Sequence, residues 1–208
     1  MDNPYAVRCI LMGDHGVGKS TLAQVFATGK FNPDIISTIG VSFVAKDLTI
    51  PNSDQMVKFQ LWDTAGTERF KSIIRSYLRD AYIVIISFDI TNRQSWNNIE
   101  NWYNDVIKEK RYESIPQFVL VGTKSDLRNH AVSSEEITNR SREWGCDHYV
   151  ISSKQKNSYS MIHRIFVKAA EKVHQTFKTN IENGVGVPSM ILKPKEPPID
   201  LTSGCCFI

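Results

Sequence analysis

The residues Gly13-Asp14-His15-Gly16-Val17-Gly18-Lys19-Ser20 fit the pattern G-x-x-x-x-G-K-[ST]. Glycines at this spacing let successive backbone N–H groups turn inward around phosphate oxygens. A helix that starts at the end of such a loop adds the positive end of its dipole. Lys19 is then placed to reach the β- and γ-phosphates of a bound nucleotide, and the Ser20 hydroxyl to bind Mg2+. The loop alone fixes neither the base nor the outcome, since phosphoryl transfer and hydrolysis use the same cradle.

The flanking elements decide whether such a loop can form. Val7–Leu11 is a short apolar run that reads as a strand, and Lys19–Thr28 reads as a helix with Leu22, Val25 and Phe26 on one face. The motif therefore sits between a strand and a helix, as it must. Farther on, Phe43–Ile50 and Met56–Trp62 read as two strands around Pro51-Asn52-Ser53-Asp54, a turn too short for a helical crossover, so this pair is predicted to be antiparallel. Tyr82–Phe88 and Phe118–Val121 are nearly continuous apolar runs, the signature of strands buried on both faces. Trp96, Ile99, Tyr103, Val106 and Ile107 recur at helical spacing. Ser133 and Glu136 form a capping box that opens another helix, and His148–Ile151 is a last short strand. Met161, Ile162, Ile165, Phe166, Ala169, Val173 and Phe177 make one stripe on a long helix. The expected class is α/β: a mostly parallel six-stranded sheet with one antiparallel edge strand and helices on both faces.

Composition narrows the function. Hydrophobic residues make up 41% of the 208 and charged residues 23%, enough for a packed core. A net charge of +3 is too mild to argue for nucleic acid, so none is expected as a partner. No run approaches the roughly 18 apolar residues of a membrane span, and Met1–Met12 reads as the approach to the first strand rather than a secretion signal. Cys9 and Cys146 read as lone thiols, which places the chain in a reducing compartment, the cytosol.

Three further motifs follow the phosphate loop in order: Trp62-Asp63-Thr64-Ala65-Gly66, Thr123-Lys124-Ser125-Asp126 and Ser152-Ser153-Lys154. Together the four resemble the small GTPases of the Ras superfamily. Ile39-Gly40-Val41-Ser42-Phe43 and Trp62–Phe70 resemble its Rab branch, and the likeness spans about Val7 to Phe177. It implies the P-loop NTPase fold of the small G-proteins and a GTP/GDP switch that regulates vesicle-mediated and intracellular protein transport. By this resemblance Asp63 orients Mg2+ through a water, and the Gly66 amide binds the γ-phosphate. Thr38, eighteen residues after Ser20, offers its hydroxyl to Mg2+ and its amide to the γ-phosphate. Losing that phosphate releases the loop. Phe31 packs edgewise on guanine, the Lys124 stem lies across the base, and the Ser153 amide meets the guanine oxygen. Asp126 accepts from guanine N1 and the 2-amino group, donors adenine lacks, so a buried carboxylate there selects GTP over ATP. His15, Gly16, Val17, Gly18, Thr21, Thr123 and Lys154 complete the nucleotide-binding set. Lys19, Thr38 and Thr67 are the residues expected to bear on hydrolysis. Ile39, Phe43, Trp62 and Tyr77 match the surface that effectors read.

The chain departs from the family at several points. Thr67 stands where glutamine usually follows Asp-Thr-Ala-Gly, and its short hydroxyl cannot present the same donor and acceptor to an attacking water. Slow intrinsic hydrolysis is therefore expected, with activation by a helper protein in trans still open. His15 puts bulk beside the γ-phosphate, where it would hinder a helper's arginine. Thr123 replaces the usual asparagine, as in Rho relatives, and Ser153 replaces alanine at a backbone contact. A GTP-loaded binding module with very slow or absent hydrolysis is the alternative to a cycling switch. A P-loop kinase would leave the guanine motifs unexplained.

The expected division is a GTP-binding domain over 1–178 and a flexible tail over 179–208. Four of eight prolines lie beyond Val187, and the end reads Gly204-Cys205-Cys206-Phe207-Ile208. Cys205 and Cys206 resemble the doubly geranylgeranylated ending of Rabs and also fit a C-a-a-X box. The tail carries Lys193 and Lys195 against Glu182, Glu196 and Asp200, so anionic lipid gives little help and two lipid chains are favoured over one. From Thr179 to Cys205 the chain can extend on the order of 80–90 Å. Lipid attachment would hold the protein on the cytoplasmic face of an intracellular membrane, cycling with the cytosol. The implied partners are effectors, an exchange factor, a GTPase-activating protein and prenyl-escort or extraction proteins.

Overall fold

The computed structural model describes residues 5–35, 38, 40–51, 53, 55–66, 76–109 and 115–183. Ile39, Thr67, Cys205 and Cys206 lie outside them. The strands are β1 (Tyr5–Met12), β2 (Val41–Thr49), β3 (Met56–Thr64), β4 (Ile83–Asp89), β5 (Gln117–Thr123) and β6 (Asp147–Val150). The helices are α1 (Lys19–Thr28), α2 (Arg93–Asn97), α3 (Ile99–Glu109), α4 (Ser134–Glu143) and α5 (Ser158–Glu182). The sheet runs β2-β3-β1-β4-β5-β6. Only β2 is antiparallel to its neighbour, with Phe43 opposite Trp62, and it forms one edge as its short turn requires.

β4 is buried along its whole length, as its unbroken apolar run demands. One core lies between the sheet and α1 with α5, around Phe26, Phe59 and Phe166. The other lies between the sheet and α2, α3 and α4, around Phe88, Trp96 and Val106. β1 has β3 on one side and β4 on the other, so the chain changes direction across the sheet beside it. A ligand is expected outside the carboxyl end of β1, where the phosphate loop begins.

Three details differ from the sequence pattern. The helix read through Trp96 and Ile107 is two helices, interrupted at Asn98, whose side chain is drawn to Asp14 (Nδ2 to Oδ2, 2.7 Å). Met161 is 42% exposed. At 100° per residue it lies about 120° from the centre of the stripe on α5, and Ala170 is buried there in its place. The last helix continues to Glu182, so residues 179–182, assigned by composition to the tail, are helical. The capping box stands as read, with Ser133 and Glu136 each bonding the other's backbone N–H. Cys9 is a buried free thiol and Cys146 a half-buried one.

Candidate functional site

The phosphate loop is folded back on β4. A Cβ on Gly13 would fall 2.1 Å from the Ser87 carbonyl oxygen, and φ there is +135°, so only glycine fits. At Gly18 the chain enters α1 in the left-handed region, with no side chain capping the helix. The N–H groups of its first turn are thereby left to an anion. Lys19 is buried, and its ammonium donates to the Gly13 and Asp14 carbonyls at 2.8 Å each. That uses two of three donors and leaves one for a phosphate oxygen. Burial lowers the Lys19 pKa to about 8, against the pull of Asp63 and Asp14.

The three residues predicted to serve the metal meet on the same side of the loop. Ser20 Oγ lies 2.6 Å from Thr38 Oγ1, which donates to Asp63 Oδ2 at 3.0 Å. Burial pushes the Asp63 carboxyl up, while bonds to Ser20 and Thr38 and the charge of Lys19 oppose it. Its other oxygen, Oδ1, is buried without a hydrogen-bond partner among the described residues. A divalent cation suits this set: hard oxygens on three segments, one of them a carboxylate with spare acceptor capacity. Gly66 closes the far wall. A Cβ there would come within 2.4 Å of the Asp14 carbonyl carbon and the His15 nitrogen. The cleft enclosed is about 210 Å³, and His15, Gly16, Thr21 and Phe31 line it as well.

The guanine motifs gather at the ends of β5 and β6, whose loops are joined by a bond from Ser125 N–H to the Ile151 carbonyl at 3.1 Å. Thr123 does not face the cleft. Its buried hydroxyl lies 2.5 Å from the Val17 carbonyl and 3.0 Å from that of Phe88, strapping the phosphate loop to β4 from behind. Lys124 sits at φ +60° with its ammonium 2.7 Å from Asp89 Oδ2. Burial raises the Asp89 carboxyl, but the bonds from Lys124 and Thr91 outweigh it and hold the pKa below the usual value.

Asp126 is not the buried carboxylate the sequence argument assumed; its side chain is 26% exposed. Ser152 orients it, donating to Oδ1 at 2.6 Å while accepting from the Lys154 N–H at 3.2 Å. Sequence reasoning gave Ser152 no role, although it opens the Ser152-Ser153-Lys154 motif. The Lys154 ammonium stands 3.9 Å from Asp126 Oδ2 and 5.9 Å from the centre of the Phe31 ring. The half-buried Ser153 lies between Ser152 and Lys154.

Phe43, Trp62 and Tyr77 form a continuous cluster of tilted rings, with ring centres 4.7 and 4.5 Å apart. Trp62 is 4% exposed, so Phe43 and Tyr77 present the surface and Trp62 supports them from beneath. Arg8 lies 5.4 Å from the Trp62 ring centre and pairs with Asp80 at 3.0 Å.

The model of the Ras family matches residues 8–175. The chain is 36% identical to Ras-related protein SEC4 of Saccharomyces cerevisiae, over 95% of its own length and 86% of that protein's. It is 33% identical to Ras-related protein RABD2b of Arabidopsis thaliana, over 97% and 96% of the two chains. With Ras-related protein Rab-27A of Rattus norvegicus it shares 35% identity over 76% of each. The chain belongs to the Rab family of small GTPases. As a Rab-family GTPase it hydrolyses GTP to GDP and works in vesicle trafficking. Ras-family GTPases use Mg2+ with GTP, which agrees with the convergence of Ser20, Thr38 and Asp63.

Proposed function

We propose that this Rab-family GTPase is a slowly hydrolysing switch with a long-lived GTP state. Lys19, the backbone of His15–Gly18 and the first turn of α1 hold the phosphates. Ser20, Thr38 and Asp63 hold Mg2+, which when bound spreads the charge of the β- and γ-phosphates. The observation that carries this reading is the meeting of Ser20, Thr38 and Asp63 within 3.0 Å, with one Asp63 oxygen left over. Thr38 would be the movable member: its hydroxyl would bind the metal and its backbone N–H the γ-phosphate, and without that phosphate Thr38 would lose a reason to stay beside Asp63. Asp126, held by Ser152, selects guanine; Phe31, Lys124, Ser153 and Lys154 complete the base site.

Slow hydrolysis rests on Thr67 and on His15, an exposed side chain at the mouth of the cleft. Thr67 cannot orient water as a glutamine does, and His15 narrows the approach for an activator's arginine. On this reading the GTP form recruits effectors through Phe43 and Tyr77, backed by Trp62, and Ile39 is proposed to join them. The GTP-binding domain runs to the end of α5 at Glu182, and the tail beyond it takes prenyl groups at Cys205 and Cys206, which anchor it to the cytoplasmic face of an endomembrane.

Single-turnover hydrolysis by full-length protein in Mg2+, with and without a Rab-type activating protein, tests the reading. A slow basal rate that rises on Thr67→Gln supports it. A basal rate unchanged by that substitution would count against Thr67 as the cause. Stimulation by the activator separates the cycling switch from the GTP-loaded binding module.

A further inference from the structure

A carboxylate in a loop that grips phosphate is electrostatically out of place. At 4 Å two like charges repel by about 1 kcal/mol in water and more near a protein surface. Asp14 is such a carboxylate, yet its side chain turns away from the cleft. Oδ2 accepts from Asn98 Nδ2 at 2.7 Å and Oδ1 from Trp102 Nε1 at 2.8 Å. Trp102 is buried, and Asn98 is the residue that separates α2 from α3. Both carboxylate oxygens are thus committed to one helical junction.

The Asp14 backbone makes two contacts that bear on the phosphate loop. Its carbonyl accepts one of the two loop bonds of Lys19. Its peptide with His15 is the surface against which Gly66 packs, at a distance no Cβ could enter. A shift of the Asp14 peptide by a few tenths of an ångström would move the Lys19 ammonium and the Gly66 contact together.

We propose that Asp14 is a positioning residue whose tether to Asn98 and Trp102 sets the phosphate loop for nucleotide retention, making the α2–α3 junction a control point over nucleotide release. This rests on the reading of the cleft as the nucleotide site. It adds that residues some 84 and 88 positions away along the chain, with no path to the ligand of their own, govern how long it stays.

The test uses full-length protein loaded with a fluorescent GDP analogue in Mg2+ and chased with unlabelled GDP. Trp102→Phe keeps an aromatic ring in the core but removes the indole Nε1 donor together with the volume around it, so the melting temperature is measured alongside. Release should quicken about tenfold or more, since a hydrogen bond to a charged group is worth roughly 10- to 150-fold. Asp14→Ala should release faster still, and Asp14→Asn, which keeps one acceptor oxygen, should lie between Asp14→Ala and the unaltered chain. The decisive readout is coupling: Asp14→Ala combined with Trp102→Phe should release no faster than Asp14→Ala alone. A purely structural role would lower the melting temperature without this order or this coupling. Unchanged release in Trp102→Phe and Asp14→Ala, or additive effects in the double variant, would overturn the inference. If the unaltered protein retains no guanine nucleotide, the nucleotide-site reading fails first, and that result is distinguishable from tight binding with unresponsive variants.

Discussion

At the proposed phosphate end of the site Lys19 is 5% exposed and Asp63 3%, whereas at the proposed base end, beyond the residues that line the cleft, the Asp126 side chain is 26% exposed and that of Lys154 59%. The charges at the first end are taken out of water and must be satisfied internally, which two loop carbonyls and two hydroxyls accomplish. Those at the second end stay near water and are held by one or two neighbours each, Ser152 and Lys154 for Asp126 and Asp89 for Lys124. The ligand's own chemistry explains the division. A triphosphate carries several charges, so its site needs fixed dipoles and a dry cradle. Guanine is neutral and differs from adenine by a few donors and acceptors, so a few oriented groups suffice to read it. Substitutions should therefore cost most at the buried end.

Lys19→Ala sets the upper end of that scale. Truncating one partner of a buried charged pair costs about 2–5 kcal/mol. GTP affinity in Mg2+ by isothermal titration should fall by roughly 30-fold to more than a thousandfold. A loss under tenfold would erase the distinction between the two ends. Asp126→Ala comes next. A hydrogen bond to a charged group contributes about 1.5–3 kcal/mol, so GTP should bind roughly 10- to 150-fold more weakly. ATP affinity should hardly move, which lets the ratio of the two affinities report selectivity alone. Equal losses for both nucleotides would mean that Asp126 supports the loop rather than reading the base.

Ser152→Ala sharpens the same comparison. It leaves Asp126 in place but removes the hydroxyl that fixes Oδ1. Ser152 acts on the nucleotide only by orienting Asp126, so a fraction of that bond, about 1 kcal/mol, reaches the ligand and GTP affinity should drop about fivefold, with Lys154 too far from Oδ2 at 3.9 Å to compensate. Titrating Ser152→Ala in the Asp126→Ala background should show no further loss; a second fivefold step there would place Ser152 on the ligand itself.

Much of this was legible without coordinates, because the phosphate loop is a local object. Gly13 to Ser20 carry their own turn, and a mostly parallel sheet with one antiparallel edge strand follows from the alternation of buried strands and helices and one short turn. Thr38 and Asp63 were nameable from the resemblance to the small GTPases. Their meeting at 3.0 Å spans 25 residues and depends on the β1–β3 pairing that brings Asp63 beside Leu11. The tether of Asp14 was not legible. Asn98 and Trp102 reach it only because β4, which leads to them, lies against β1. Nor could composition reveal that Thr123 turns its hydroxyl to the back of the loop, since a threonine at the end of a strand can face either side. The exposure of Asp126 escaped for a related reason: a motif fixes a residue's role and says little about what covers it.

A third region, remote from both ends by function, provides the smallest expected effect and a control. At the start of α4 the exposed Glu136 takes two bonds from Arg93, at 2.6 and 3.2 Å, and closes the capping box with Ser133. The Arg93 bonds first, then those of the Ser133 backbone and hydroxyl, hold its carboxyl at about 2, below its ordinary 4.5. A carboxyl depressed in the folded state contributes stability that is present above the unfolded value and is lost as pH falls through the folded one. Between pH 5 and pH 3 the urea midpoint of the unaltered protein should therefore fall more steeply than that of Glu136→Gln, which cannot titrate. Screening by solvent keeps the difference small, and added salt should shrink it further. GTP affinity at pH 7 should be the same in both proteins, because α4 touches neither Asp63 nor Asp126 through any of these bonds. Parallel midpoints across that window would show that the bidentate pair and the cap contribute nothing to folding. A shifted GTP affinity would mean that the base end draws on surface electrostatics well beyond Asp126 and Lys154.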